Sequence, residues 1–186
     1  MRKRLAGLTI VLCAMLLLVG CSSTKIALRI VSPEPLKDVP TAFEDDKIYL
    51  AVTPGTNWVG NLEGVNFALK NKTDFSMKII WDEVTFVDQY NSSARVIHNG
   101  VKYIDRDQSM PPSIIPAHSN LNDCVYPSNK VFFNSYSNTW AHQYVVANTV
   151  EYNKSRIRIL LPIEWNSQRL EYDIVIETLI YESPTT

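Results

Sequence analysis

From about residue 47 onward the chain alternates apolar and polar positions with a period of two, the period at which side chains of a strand return to the same face. Ile48, Leu50 and Val52 alternate with Tyr49 and Ala51, and Pro54-Gly55 closes that run with a turn signal. Val65, Phe67 and Leu69 form the next apolar face, opposite Asn66, Ala68 and Lys70. The polar stretch Asn71-Lys72-Thr73-Asp74 follows, where Asn and Asp bond their own backbone and favour a turn. Met77, Ile79 and Trp81 resume the period, the phase slips after Asp82, and Val84 with Phe86 carry the face onward. A one-residue slip reverses every side chain, so the pattern predicts a bulge or strand switch near Asp82-Glu83. Asp88 to Ser93 reads as a turn, and Val96-Ile97 as a short strand.

The C-terminal pattern is the clearest. Ile157, Ile159, Leu161 and Ile163 alternate with Arg156, Arg158, Leu160 and Pro162. After a turn at Asn166-Ser167, Leu170, Tyr172, Ile174 and Ile176 alternate with Glu171, Asp173, Val175 and Glu177. One apolar and one charged face is the signature of antiparallel strands with one wet side. Pro162 has no amide proton to give a ladder, which places its strand at an edge or beside a bulge. Met110-Pro111-Pro112 and Pro116 break regular structure around residues 113–115. Phe132, Tyr136, Trp140 and Tyr144 recur every four residues, which fits a short helix, but the Asn, Ser and Thr between them favour turns. The expectation there is an irregular excursion with one short helix. Seven or so short strands separated by turns predict an all-β chain folded as an antiparallel β-sandwich.

The first residues follow a different logic. Arg2, Lys3 and Arg4 form a positive region, Leu5 to Val19 is an uncharged apolar run, and Leu18-Val19-Gly20-Cys21 is followed by Ser22 and Ser23. This stretch resembles the lipobox of bacterial lipoproteins. In that family the cysteine thiol takes a diacylglyceryl group, the signal is cut before it, and the new N-terminus is acylated. The resemblance implies a signal peptide over residues 1–20 and a lipid attachment site at Cys21. One acyl chain holds a protein only marginally and two hold it stably, so three such chains, palmitate or its like, make a lasting anchor. A transmembrane helix needs roughly 20 apolar residues, and Ser22-Ser23-Thr24-Lys25 stops this run short. Cleavage by the ordinary signal peptidase, for which Gly20 is small enough, is the other alternative.

Ile26 to Val31 alternates and forms a candidate first strand. Ser32-Pro33-Glu34-Pro35, Pro40 and Glu44-Asp45-Asp46 then read as extended linker. The expected division is signal peptide 1–20, lipidated tether and linker 21–46, and a β-sandwich domain 47–186. The strand ending in Asn71-Lys72-Thr73, then Ile79-Ile80-Trp81-Asp82-Glu83, Val87-Asp88, Pro116 to Ser119 and Leu160-Leu161-Pro162-Ile163, together resemble small bacterial lipoproteins with an immunoglobulin-like domain. The resemblance spans most of residues 60–181. It implies an immunoglobulin-like antiparallel sandwich, and it brings no catalytic residue set.

Charge narrows the choice of partners. Without residues 1–20 the chain has 166 residues, with 15 basic and 19 acidic side chains and a net charge of −4. There is no basic stripe with interleaved aromatics for nucleic acid and no polybasic cluster for a second membrane contact. Cys124 is the one cysteine beyond Cys21 and reads as a small buried hydrophobe, with an intermolecular bridge or a reactive thiol as alternatives.

Candidate chemistry is sparse. His98, His118 and His142 have no zinc-binding i, i+4 spacing. His118 lies near Cys124 in sequence, but a nucleophile and its base meet through the fold, not through sequence proximity. Asp82-Glu83 point to opposite faces of a strand, and Asp105-Arg106-Asp107 reads as a solvated turn rather than a calcium loop, which needs six to eight oxygens. The four glycines of the mature chain, at 55, 60, 64 and 100, form neither a phosphate loop nor a nucleophile elbow. No cofactor or metal is expected. Tyr136, Trp140 and Tyr144, with Asn and Ser between them, have the composition of a recognition surface; the other reading is that these rings cap an open end of the sandwich.

The leading expectation is a non-enzymatic, lipid-anchored cell-envelope protein that binds another protein or helps organise an assembly. Its membrane is the outer one if the host is Gram-negative, because Ser22 follows Cys21. The rival is a lipoprotein that binds or hydrolyses envelope saccharide or peptide, for which a deep pocket with converging polar groups is the distinguishing feature.

Overall fold

The structure, a computed structural model, describes residues 23–183; the signal segment and Cys21 lie outside the described residues. The chain is all-β and antiparallel. Thirteen strands are described: β1 Ser23–Ser32, β2 Ala42–Glu44, β3 Ile48–Thr56, β4 Leu62–Asn71, β5 Met77–Ile79, β6 Thr85–Val87, β7 Ser93–His98, β8 Ser113–Ile115, β9 Asn120–Pro127, β10 Val131–Asn134, β11 Thr139–His142, β12 Arg156–Trp165 and β13 Gln168–Ser183. The main sheet runs β1-β13-β12-β6-β7-β9-β4-β3-β2, with β5 attached to β12 and β8 to β5. β1 also packs against β3, so the sheet curls into a nearly closed barrel or sandwich. Its interior holds Leu28, Ile30, Phe43, Ile48, Leu50, Leu69, Trp81 and Phe86, all essentially inaccessible to water.

The strand phases hold. Ile48, Leu50, Val52, Val65, Phe67, Leu69, Met77, Ile79, Ile157, Ile159, Leu161, Ile163, Ile174 and Ile176 are buried, and Arg156, Arg158 and Asp173 are exposed. The slip near Asp82 is a single 3-10 turn, Trp81–Glu83. β5 and β6 both pair with β12, on either side of that turn. Pro162 faces the interruption, where no ladder proton is required of it. β12 is paired along both sides, so it is not an edge strand, and Pro162 lies opposite the 3-10 turn between β5 and β6 rather than at an edge. The β12–β13 connection is a two-residue hairpin with Asn166 and Ser167 at φ of 46° and 61°, the left-handed pair that a type I′ turn requires.

Glu177 is buried although it belongs to the wet face. It stands directly opposite Arg29 of β1 and Arg156 of β12, with Arg29 Nη2 2.5 Å and Arg156 Nε 3.6 Å from its carboxylate. The two long arginine stems cover it while their charged heads stay in water.

Two expectations fail. Residues 23–46 are not a free tether leading to a domain at Lys47. β1 pairs with β13 from Ser23 onward, and Ile26, Leu28, Ile30 and Phe43 belong to the core. The intervening prolines form a packed loop, in which Ile30 donates its amide to Pro40 O (2.8 Å) and Val52 to Thr41 O (2.8 Å). The apolar residues of this segment outweigh its proline content because they complete the barrel wall. No α-helix occurs at residues 132–144, or elsewhere among the described residues; the stretch is the β10–β11 ribbon.

Candidate functional site

β10 and β11 form a two-stranded ribbon apart from the main sheet. Its register sets Phe132 against Ala141 and Phe133 against Trp140. At the tip, Asn134 Oδ1 accepts the amides of Tyr136 (3.0 Å) and Ser137 (3.4 Å), the local side-chain bonding that favours turn over helix. The four-residue spacing therefore does not gather the expected rings on one surface. Tyr136 stands at the tip, fully exposed. Trp140 is half-buried, edge-on to Phe133 at 5.6 Å, with the Arg106 guanidinium 5.2 Å from its ring centre. Tyr144 lies beyond β11, lining a separate cleft with Phe132 and Tyr90.

Beneath the ribbon lies a cluster that no local motif announces. Pairing shifts from Gly55↔Gly64 to Thr56↔Leu62, which leaves Glu63 as the extra residue of a bulge, a device that re-aims a side chain. Its carboxylate lies 3.7 Å from His142 Nδ1. The rings of Tyr103 and Tyr126 meet His142 edge-on at 4.9 and 4.8 Å. Gly64 makes room for Tyr126: a Cβ there would stand 2.7 Å from the Tyr126 ring and 2.5 Å from Val125 O. Cys124 shares this face of β9 with Tyr126 and is buried.

The electrostatics of the cluster disfavour Cys124 as a nucleophile. Burial lowers the His142 pKa, with Glu63 opposing it in part. Burial raises the Cys124 thiol, with a hydrogen bond from Tyr126 opposing it in part. The hydroxyls of Tyr103 and Tyr126 are also pushed up, chiefly by burial. At neutral pH the cluster therefore holds a thiol, a neutral imidazole and two phenols. A reactive cysteine needs the opposite setting, exposed and electropositive. The cleft between residues 97–104, Tyr126 and Trp140 measures about 450 Å³ and opens to solvent.

The other candidates are engaged structurally. His118 lies 2.8 Å from Asp74 on the exposed turns, apart from Cys124. His98 stacks on Trp81 at 4.0 Å and bonds Asp123 at 3.1 Å. Asp82 ties the 95–110 segment down through Arg95 (2.8 Å), the Met110 amide (2.9 Å) and the Ser109 hydroxyl. Glu83 pairs with Arg169, and Asp107 with Arg106 at 3.6 Å. Among the described residues there is no cluster of three metal-ligating side chains and no helix long and apolar enough to cross a membrane.

Comparison of the chain with protein-family models gives no match, and none of the curated proteins compared is similar to it. The class that fold and site define is an all-β antiparallel protein bearing an aromatic ribbon.

Proposed function

We propose that the protein is a lipid-anchored envelope protein, held to the membrane through Cys21, that binds a protein partner through its ribbon without catalysing a reaction. The observation that carries the binding role is the ribbon itself: Tyr136 is wholly exposed and Phe133 half-exposed on a short, preorganised β-arm. Rigid aromatic rings flanked by small polar groups supply contact area at low entropic cost. The Cys124 thiol of the underlying cluster, buried and held protonated, weighs against its use as a hydrolytic nucleophile. The lipobox and Ser22 carry the anchor and outer-membrane part of the reading, and the resemblance to immunoglobulin-like lipoproteins carries its finer fold.

Two experiments test it. Cys21→Ala is expected to release the protein from membranes, and a variant that lacks acyl label yet sediments in high salt refutes the anchor. A photo-crosslinker at position 136, with position 164 on the exposed face of β12 as control, is expected to trap a defined partner in intact cells. Phe133→Ala should weaken that capture about 30-fold, the equivalent of about 2 kcal/mol for a hot-spot ring. Equal trapping from both positions refutes the ribbon as the binding site.

A further inference from the structure

We infer that the end of the domain carrying Trp58 and Val59 is a membrane seat, the face that lies against the phospholipid surface holding the acyl groups of Cys21. The inference rests on the lipid-anchor reading and adds which face of the domain meets the bilayer.

It begins with the length of free chain. β1 is in register with β13 from Ser23, and Thr24 is fastened at both its polar groups. Its hydroxyl donates to Asn148 O (3.1 Å), and Asn148 Nδ2 donates to Thr24 O (2.7 Å). Cys21 lies three residues before Thr24, a span of at most about 10 Å when fully extended. The headgroup layer of one leaflet is itself roughly 5–8 Å deep. A domain folded up to Ser23 therefore cannot stand clear of the bilayer, and whatever surface surrounds Thr24 is pressed against the headgroups.

That surface is aromatic. Asn148 donates its amide to Asn61 Oδ1 (2.7 Å), which joins the start of β1 to the β3–β4 loop. In this loop Trp58 is 95 % exposed and Val59 46 %; Trp81 is buried, and Trp140 and Trp165 are half-buried. The loop is built to hold that posture. Asn57 Oδ1 accepts the amides of Val59 (3.2 Å) and Asn61 (3.0 Å), and Gly60 donates to Asn57 O (2.9 Å). Gly60 has φ of +84°, and a Cβ there would stand 2.6 Å from Asn148 Nδ2, so glycine is required where the loop meets the anchor strand. Val150, two residues beyond Asn148, is also exposed. Trp and Tyr are the side chains that settle at headgroup depth. The exposed charges near this end, Lys25 and Lys154 against Glu151 and Glu182, balance in sign, so the contact is interfacial and aromatic rather than polybasic.

The test uses the purified full-length product with its N-terminal modification, reconstituted in phosphatidylcholine vesicles brominated at acyl carbons 6 and 7. The difference in emission between wild type and Trp58→Phe isolates Trp58. The expected result is a blue-shifted Trp58 signal, largely quenched by the bromines and shielded from acrylamide. The mass of the N-terminal peptide is measured on the same preparation. Acylated Cys21 with Trp58 unquenched and open to acrylamide overturns the seat and leaves the anchor standing; unmodified Cys21 overturns both. A blue shift that appears in lipid-free detergent and grows with protein concentration identifies a second copy as the occupant and overturns the seat as well.

Discussion

Phe43→Ala separates a tethered domain from one that incorporates its own N-terminal segment. Phe43 lies between the prolines and acidic residues that read as linker, yet it is 2 % exposed. Its ring pairs with Tyr172 at 5.8 Å, and its backbone with Leu50 of β3. Tyr172 in turn donates its hydroxyl to Asp45 Oδ2 (3.0 Å), whose other oxygen accepts the amides of Lys47 (2.8 Å) and Ile48 (2.7 Å). Burying a ring of this size removes at least ~150 Å² from water, which at ~25 cal/mol per Å² is about 3–4 kcal/mol. The aromatic pair adds roughly 0.5–1.5 kcal/mol, less what the alanine methyl retains, and the total falls in the range of about 3–5 kcal/mol found for Phe→Ala in cores. For a domain of this size that is a fall in Tm of ~6–20 °C. Urea unfolding of a soluble, unlipidated form, followed by tryptophan emission, measures it as a lower midpoint at unchanged slope. A loss below about 0.5 kcal/mol, the range of an exposed site, would falsify the placement of residues 42–44 in the wall.

Four further outcomes follow from named contacts. Ile174→Asp is expected to cost several kcal/mol because it puts an unpaired carboxylate in the core, whereas Asp173→Asn, which loses an exposed pair with Arg158 at 2.6 Å, should cost under about 1 kcal/mol; equal midpoints in urea refute the strand phase. Asn71 is fully buried and its Nδ2 reaches Phe75 O (2.7 Å), Ile115 O (3.1 Å) and Pro116 O (3.0 Å). Asn71→Leu leaves those carbonyls without that donor, so we expect a loss of roughly 2–4 kcal/mol by calorimetry, and a neutral result removes Asn71 as the staple of that turn. Tyr136→Ala should leave the melting curve unchanged, and a drop of several degrees would show that the ribbon tip packs against something. His142, whose pKa is lowered by burial, binds its proton less readily folded than unfolded. Its contribution is thus present above the unfolded imidazole pKa of about 6.5 and is lost as pH falls below it; urea midpoints between pH 7.5 and 5 should fall less in His142→Asn than in wild type, and parallel profiles refute the assignment.

How much of this was legible in the chain depends on the range of the interactions. Strand phases follow from alternation, because side-chain direction in a strand is a property of the strand alone; Ile157 to Ile163 and Leu170 to Ile176 therefore announce their apolar face, and Asn166-Ser167 its turn. The slip at Asp82 is legible for the same reason. Tertiary structure decided what depends on partners far away in sequence. Whether Phe43 is linker or wall turns on Tyr172 and Leu50, and whether Glu177 is wet turns on Arg29 and Arg156. Phe132, Tyr136, Trp140 and Tyr144 carry a helical spacing, but Asn134 bonds two amides at the tip and turns the stretch into a ribbon whose rings face three ways. The cluster of Glu63, Tyr103, Cys124, Tyr126 and His142 has no local signature, because a bulge in β4, a 3-10 turn and two further strands bring it together. Trp58 is an ordinary loop residue in the sequence; it gains its position beside the anchor only because Asn148 joins Asn61 to Thr24 across the end of the barrel.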